Sequence, residues 1–281
     1  MEIGIGLPNA VRGVDRAGTV EWARRSDQAG FSSLGTIDRL AFPNYESLIA
    51  LAAAAAVTER IRLVTDILIA PFRDTAMLAK QAATVDGISN GRLVLGLAVG
   101  GRPDDFEYAG VDFGQRGRIF ERQLEELVEF WKGKGGVGPA PVSGERPSML
   151  IGGSADIAFQ RAAKHADGWT LGGGTPEAFS EGRAKLLEAW EAESREGEPR
   201  TMALFSYRLG ANAEEAARED LADYYAWLGD YAEQIVASAA TDPDTVNGYL
   251  AAFEEAGCDE VICFPVSTEP GQVDLLAEAV L

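Results

Sequence analysis

The chain has 281 residues, 46% of them hydrophobic, which is enough for a sizeable core and far from the composition of a disordered segment. Asp and Glu number 44 against 25 Lys and Arg, and the resulting net charge of −19 argues against nucleic acid or an anionic membrane surface as a partner. Two cysteines imply no disulfide framework and fit a reducing cytoplasm, and the opening MEIGIGLPN carries neither a basic segment nor a long apolar run, so neither a signal peptide nor a membrane span is expected.

Short apolar runs alternate with longer helical patterns along the chain. Strands are predicted at residues 3–7, 33–37, 62–70, 93–99, 148–152, 168–171, 202–209 and 260–265. Helices are predicted at 14–29, 45–58, 75–89, 118–131, 155–165, 176–193 and 245–256, closed in places by Gly30, Asn90-Gly91 and Gly257. Eight strands in this rhythm predict a single-domain (β/α)8 TIM barrel over residues 1–281, a length near the roughly 250 residues typical of that fold. Two stretches depart from the minimal plan. Residues 132–147 are rich in Gly and Pro and lack a period, so they read as a surface loop. Residues 212–240 form a long helical stretch carrying Tyr224, Tyr225, Trp227 and Tyr231, which suit a core or helix–helix contact, with a lid over a substrate as the alternative.

Candidate chemistry gathers at the carboxyl ends of the strands, where α/β barrels hold their ligands. The second strand ends in Asp38-Arg39, an acid and a base that form either a site or a surface ion pair. Asp66 interrupts the otherwise apolar third strand and needs a hydrogen-bond donor, because an unpaired buried carboxylate is costly. Arg73 follows as a surface cation or a member of the site. The fourth strand runs into Val99, Gly100 and Gly101, where the chain turns tightly or lets a flat ligand approach, and then into Arg102-Pro103-Asp104-Asp105. After the fifth strand Gly152, Gly153 and Ser154 lead into a helix, with the serine expected to cap it. After the sixth, Gly172, Gly173, Gly174 and Thr175 do the same. Both junctions suit a phosphate at a helix N-terminus, although neither is a P-loop nor a Gly-x-Gly-x-x-Gly fingerprint. The one histidine, His165, falls late in a helix and thus on the face opposite the site, which leaves no triad, and no metal-ligand spacing occurs.

The pattern SxGRLxLGLxxGGRxDDFExxG ending at Gly110, with GGSxxIAxxxAAxHADGW ending at Trp169, resembles the bacterial-luciferase-like family, whose members use flavin or deazaflavin cofactors. The likeness runs from the first strand to about Trp169 and weakens beyond. It implies a luciferase-like barrel with a short insertion after the fourth strand–helix unit, residues 132–147, overhanging the site. Asp38 would match the acid of an acid–histidine pair near the flavin ring, with Arg39 in place of the histidine. A guanidinium cannot act as a base, so Arg39 would instead hold an anion. Asp66–Ile67 would match a bulge whose non-prolyl cis peptide presses on the ring. Val99, Gly100, Gly101 and Asp105 would line the site, and the cofactor phosphate would lie at Gly152–Ser154 and Gly172–Thr175. The activity implied is that of a monooxygenase using reduced FMN, delivered by a separate flavin reductase, and O2 on a small organic substrate. The alternatives are hydride transfer with the deazaflavin coenzyme F-420, a flavin-binding barrel without turnover, and a lyase or hydrolase built on Asp38, Asp66 and Asp105. A homodimer is expected by the same analogy.

Overall fold

The computed structural model describes residues 1–229 and 231–281. Its strands are β1 (Glu2–Gly6), β2 (Ser33–Thr36), β3 (Arg62–Ile69), β4 (Leu93–Ala98), β5 (Ser148–Gly152), β6 (Gly168–Leu171), β7 (Arg200–Tyr207) and β8 (Glu260–Pro265). The helices are α1 (Arg16–Ala29), α2 (Ser47–Ala55), α3 (Thr75–Ser89), α4 (Pro103–Ala109), α5 (Arg116–Trp131), α6 (Asp156–His165), α7 (Pro176–Ala192), α8 (Ala213–Tyr225), α9 (Tyr231–Ala237), α10 (Pro243–Glu255) and α11 (Gly271–Val280). All strands are parallel and close into one barrel in chain order, with Gly4 of β1 paired to Ile262 of β8. This is the single-domain (β/α)8 barrel that the alternation of patterns predicts. Among the described residues no helix is long and apolar enough to cross a membrane.

Side-chain parity divides the core into two layers. Leu93, Leu95 and Leu97 of β4 face outward into the main core with Ala82, Leu124 and Leu127 of the surrounding helices. Val94 faces inward with Val64, Leu150, Met202, Ile262 and Phe264. Each such buried aliphatic side chain contributes roughly 1.5–3 kcal/mol. Phe264 crosses the barrel interior, and a Cβ on Gly6 would stand 2.2 Å from its Cδ1. Those glycine-sized gaps on neighbouring strands are what admit the ring.

Helix starts follow the capping chemistry written in the sequence. Asp15, Asp74, Thr175 and Asp242 each accept a hydrogen bond from the backbone N–H three residues on. Ser154 does not, contrary to expectation: Ala155 is the residue before α6, and no side chain caps that helix.

The barrel also overturns the placement of residues 132–147. A segment joining the end of α5 to the start of β5 must lie at the amino ends of the strands, away from the site. There Val142 N–H and Ser143 N–H donate to Asp86 Oδ2 at 2.7 and 3.1 Å, and Lys80 Nζ donates to the Gly138 carbonyl at 2.7 Å. Overhang at the other end comes from residues 208–240. They fold as α8, a 3-10 turn over Ala226–Leu228 and α9, not as one long helix.

Candidate active site

A cavity of about 480 Å³ opens at the carboxyl ends of the strands. Asp38 after β2, the Asp66–Ile67 segment of β3, Gly100-Gly101 after β4 and the Gly172–Thr175 loop after β6 all face it. Tyr224, Tyr225 and Trp227 roof it, so these aromatics serve as a lid as well as a packing element. Tyr231, expected to join them, carries no described side chain.

The third strand holds the most unusual backbone. The Asp66–Ile67 peptide is cis, and the pairing with β4 shifts register between Thr65 and Leu68, as the family resemblance implies. Two glycines make room for this bulge. A Cβ on Gly96 would lie 2.1 Å from the Thr65 carbonyl oxygen, and one on Gly152 would lie 2.3 Å from Ile67 Cδ1. Asp66 itself is 2% exposed. Its Oδ1 accepts from Thr170 Oγ1 at 2.9 Å, and its buried Oδ2 has no partner. Burial pushes this carboxyl up to about 7, outweighing the Thr170 bond, and the charge of Glu260 acts in the same upward direction.

Asp38 is engaged by the protein. Arg73 grips it with Nη1–Oδ2 at 2.6 Å and Nη2–Oδ1 at 2.8 Å, and the Ile69 N–H donates to Oδ2 at 2.9 Å. Arg73 is therefore neither a free surface cation nor a cavity wall, because it fixes the acid that is. Asp105 lines the cavity too, and its Oδ1 accepts from the Leu40 and Ala41 N–H groups at 3.0 and 2.6 Å, pinning the loop after β2. Burial raises its pKa despite the Ala41 bond.

Five expected residues sit elsewhere. Val99 follows the outward parity of Leu93, Leu95 and Leu97, so it packs against the helix-side core and is not among the cavity residues. Arg39 is also absent from the wall. Its guanidinium turns to the Tyr224 carbonyl at 2.9 Å and to Asp104 Oδ2 at 3.1 Å, beneath the lid. Gly152, Gly153 and Ser154 do not line the cavity. Gly152 lies under Ile67, and the Gly153 carbonyl accepts from Trp169 Nε1 at 2.8 Å. The Gly172–Thr175 loop does face the cavity, at the N-terminus of α7. Arg102 completes the lining and was not singled out by sequence reasoning, because the aromatic rings that stack on it come from α8 and the turn after it, far along the chain.

His165 ends α6, with Nε2 at 3.5 Å from Glu121 Oε1, and burial lowers its pKa. Glu121, Glu125 and His165 come together, but Arg161 already holds Glu121 at 2.8 Å and Lys164 pairs with both glutamates, so the group reads as an ion-pair network between helices. Cys258 and Cys263 are buried free thiols.

Comparison with known proteins agrees with this architecture. A protein of Mycobacterium tuberculosis that carries no assigned function is 31% identical over 194 residues, covering 55% of this chain and 65% of that protein, so the match spans less than two thirds of the relative's own length. The monooxygenase RslO1 from Streptomyces bottropensis superposes with a TM-score of 0.81 at 20% identity, covering 100% of this chain and 98% of its own. The coenzyme F-420-dependent tetrahydromethanopterin reductase from Methanopyrus kandleri gives 0.77 at 18% identity, covering 100% and 99%. At such identities these two structures share the fold. The family described as luciferase-like monooxygenase matches residues 1–257, more than half of the sequence, and the chain belongs to that family.

Proposed function

We propose that the protein is a flavin-dependent oxidoreductase, a monooxygenase that takes reduced FMN from a separate flavin reductase and acts with O2 on a small organic substrate. The observation that carries this reading is one cavity with a bulged, glycine-relieved wall at one side and a glycine loop at a helix N-terminus at another. The residues present fit a flavin. Gly172 has open space where a Cβ would stand, and the N-terminus of α7 suits a phosphate without a cationic side chain. Ile67, Ile69 and Gly100 offer an apolar wall for a flat ring, and Asp66 Oδ2 is a buried acceptor in want of a ring N–H.

Bound reduced flavin would supply the oxygen-activating chemistry. The chain's own part is to bind, orient and exclude water. Tyr224, Tyr225 and Trp227 cover the site, and a dry site strengthens every polar contact within it. No imidazole lines the cavity among the described residues, so a proton near the ring falls to Asp66, which is set to hold or release one near neutral pH.

Titrating FMN and coenzyme F-420 side by side tests this, with Gly172→Val as the control. FMN should bind, and the valine should weaken it about tenfold, roughly 1.4 kcal/mol, with the unfolding midpoint unchanged. Preference for F-420 would replace oxygen activation by hydride transfer. Binding of FMN without turnover in the presence of a reductase would leave a flavin carrier. Binding of neither cofactor would overturn the flavin reading and return the three cavity aspartates to consideration as a hydrolytic set.

A further inference from the structure

Arg102 is the one Lys, Arg or His among the described residues that line the cavity. Its guanidinium lies 4.5 Å from the ring centroid of Tyr224, 5.1 Å from that of Trp227 and 5.7 Å from that of Tyr225. Aromatic faces hold a guanidinium in place while leaving its N–H edge available to a planar acceptor. Among the described residues no carboxylate takes that edge. Asp38 is bound to Arg73, Asp105 to the Leu40 and Ala41 amides, and Asp66 to Thr170, while Asp104 holds Arg39.

Two donors are left without acceptors at this spot. Among the described residues Nη1 of Arg102, buried from solvent, has no partner, and neither has the hydroxyl of Tyr224, a side chain only 1% exposed. Tyr224 feels the charge of Arg102 but makes no bond of hydrogen-bond geometry with it. Burial keeps its pKa above the ordinary tyrosine value, so the hydroxyl retains its proton and can donate at neutral pH. A buried donor without an acceptor is costly, and a carboxylate carries two oxygens that would satisfy both. In a chain of net charge −19, bulk attraction would not draw such an anion in, so the affinity has to be local.

We infer that Arg102 and Tyr224 form an anion seat under the lid, and that the substrate is an organic carboxylate with an apolar body. The apolar remainder of the lid-side wall, Leu204, Phe205, Leu228 and Ile235, suits that body. The anion seat stands on Arg102 and Tyr224 themselves, and its assignment to substrate and not to cofactor rests on the flavin reading. In that reading the cofactor phosphate would lie at the Gly172–Thr175 loop, which leaves the seat at Arg102 for a second anion.

The test measures binding of acetate, hexanoate and benzoate against acetamide, hexanamide and benzamide by calorimetry, on the full chain with and without FMN. At least one acid should bind about tenfold tighter than its amide. Arg102→Gln should remove that preference, and Tyr224→Phe, which keeps the ring and its stacking, should reduce it about threefold or more. FMN affinity should change less than twofold in either variant. Equal binding of acid and amide in all three pairs, or no binding of any acid, would overturn the seat, and so would a preference that survives both substitutions. A loss of FMN affinity in Arg102→Gln would assign the guanidinium to the cofactor phosphate and overturn its role toward substrate. An intact acid preference in a protein that binds no flavin would refute the flavin reading alone.

Discussion

The two ends of the barrel treat charge in opposite ways. At the amino ends of the strands, Glu260 is buried and matched: its Oε1 accepts from Ser33 Oγ at 2.6 Å, and its Oε2 meets Arg62 and Arg200 at 3.1 and 2.6 Å. Nearby, Arg146 holds Asp167 with two bonds, at 2.6 and 2.8 Å. At the carboxyl ends, Asp66 Oδ2, Arg102 Nη1 and the Tyr224 hydroxyl are buried with no partner among the described residues. The closed end matches its buried charges within the protein, though Arg62 Nε and Asp86 Oδ1 lack a partner there among the described residues, while the open end turns its orphaned atoms toward the cavity. A TIM barrel separates stability from function along its axis, and here the orphaned atoms that line a cavity lie at the carboxyl end.

The largest expected effect lies at the closed end. Glu260→Ala strands two arginines beside a single acid, Glu2, and should lower unfolding free energy by about 3–5 kcal/mol in urea titrations. FMN affinity of the folded protein should hold, and a change above roughly threefold would break the separation of the two ends. The second effect lies at the open end and depends on pH. Folded Asp66 keeps its proton up to about 7, whereas the unfolded chain releases it near 3.8. Between those values the folded state binds more protons, so stability falls as pH rises through this window and levels off above it. Asp66→Asn should abolish that slope, leaving the variant about 4 kcal/mol more stable than wild type at pH 8 and equal to it near pH 3. Thermal melts across pH would show it, and an unchanged slope would mean that Asp66 is ionised in the fold. The smallest effect returns to the closed end. Arg146→Ala removes a pair whose acid is 38% exposed, and solvent screening limits the loss to about 1 kcal/mol or less.

Much of the fold was legible because its punctuation is local. Strands at Ser148–Gly152, Gly168–Leu171 and Glu260–Pro265 and the helix Thr75–Ser89 fall where apolar runs meet Gly, Pro or a capping Asp. Val99 was misplaced although the signal was present. Leu93, Leu95 and Leu97 set an outward parity that Val99 continues, while Gly96 and Gly100 keep the inner side. The position of residues 132–147 was also implicit, since a helix-to-strand connection in a parallel barrel returns to the amino ends. The site's polar wiring was less accessible. Arg73 meets Asp38, and Tyr224 meets Arg39 and Arg102, only because the barrel closes and the segment after β7 folds back over it. No local pattern encodes those pairings.

Phe264 gives the cavity a last property. With its ring laid against Gly6 and Gly35, and Val64, Val94, Met202 and Ile262 filling the layer around it, the barrel has a solid floor beneath the cavity. The floor sets a depth limit: a ligand at the bulge is backed by this layer and cannot sink further toward the amino ends.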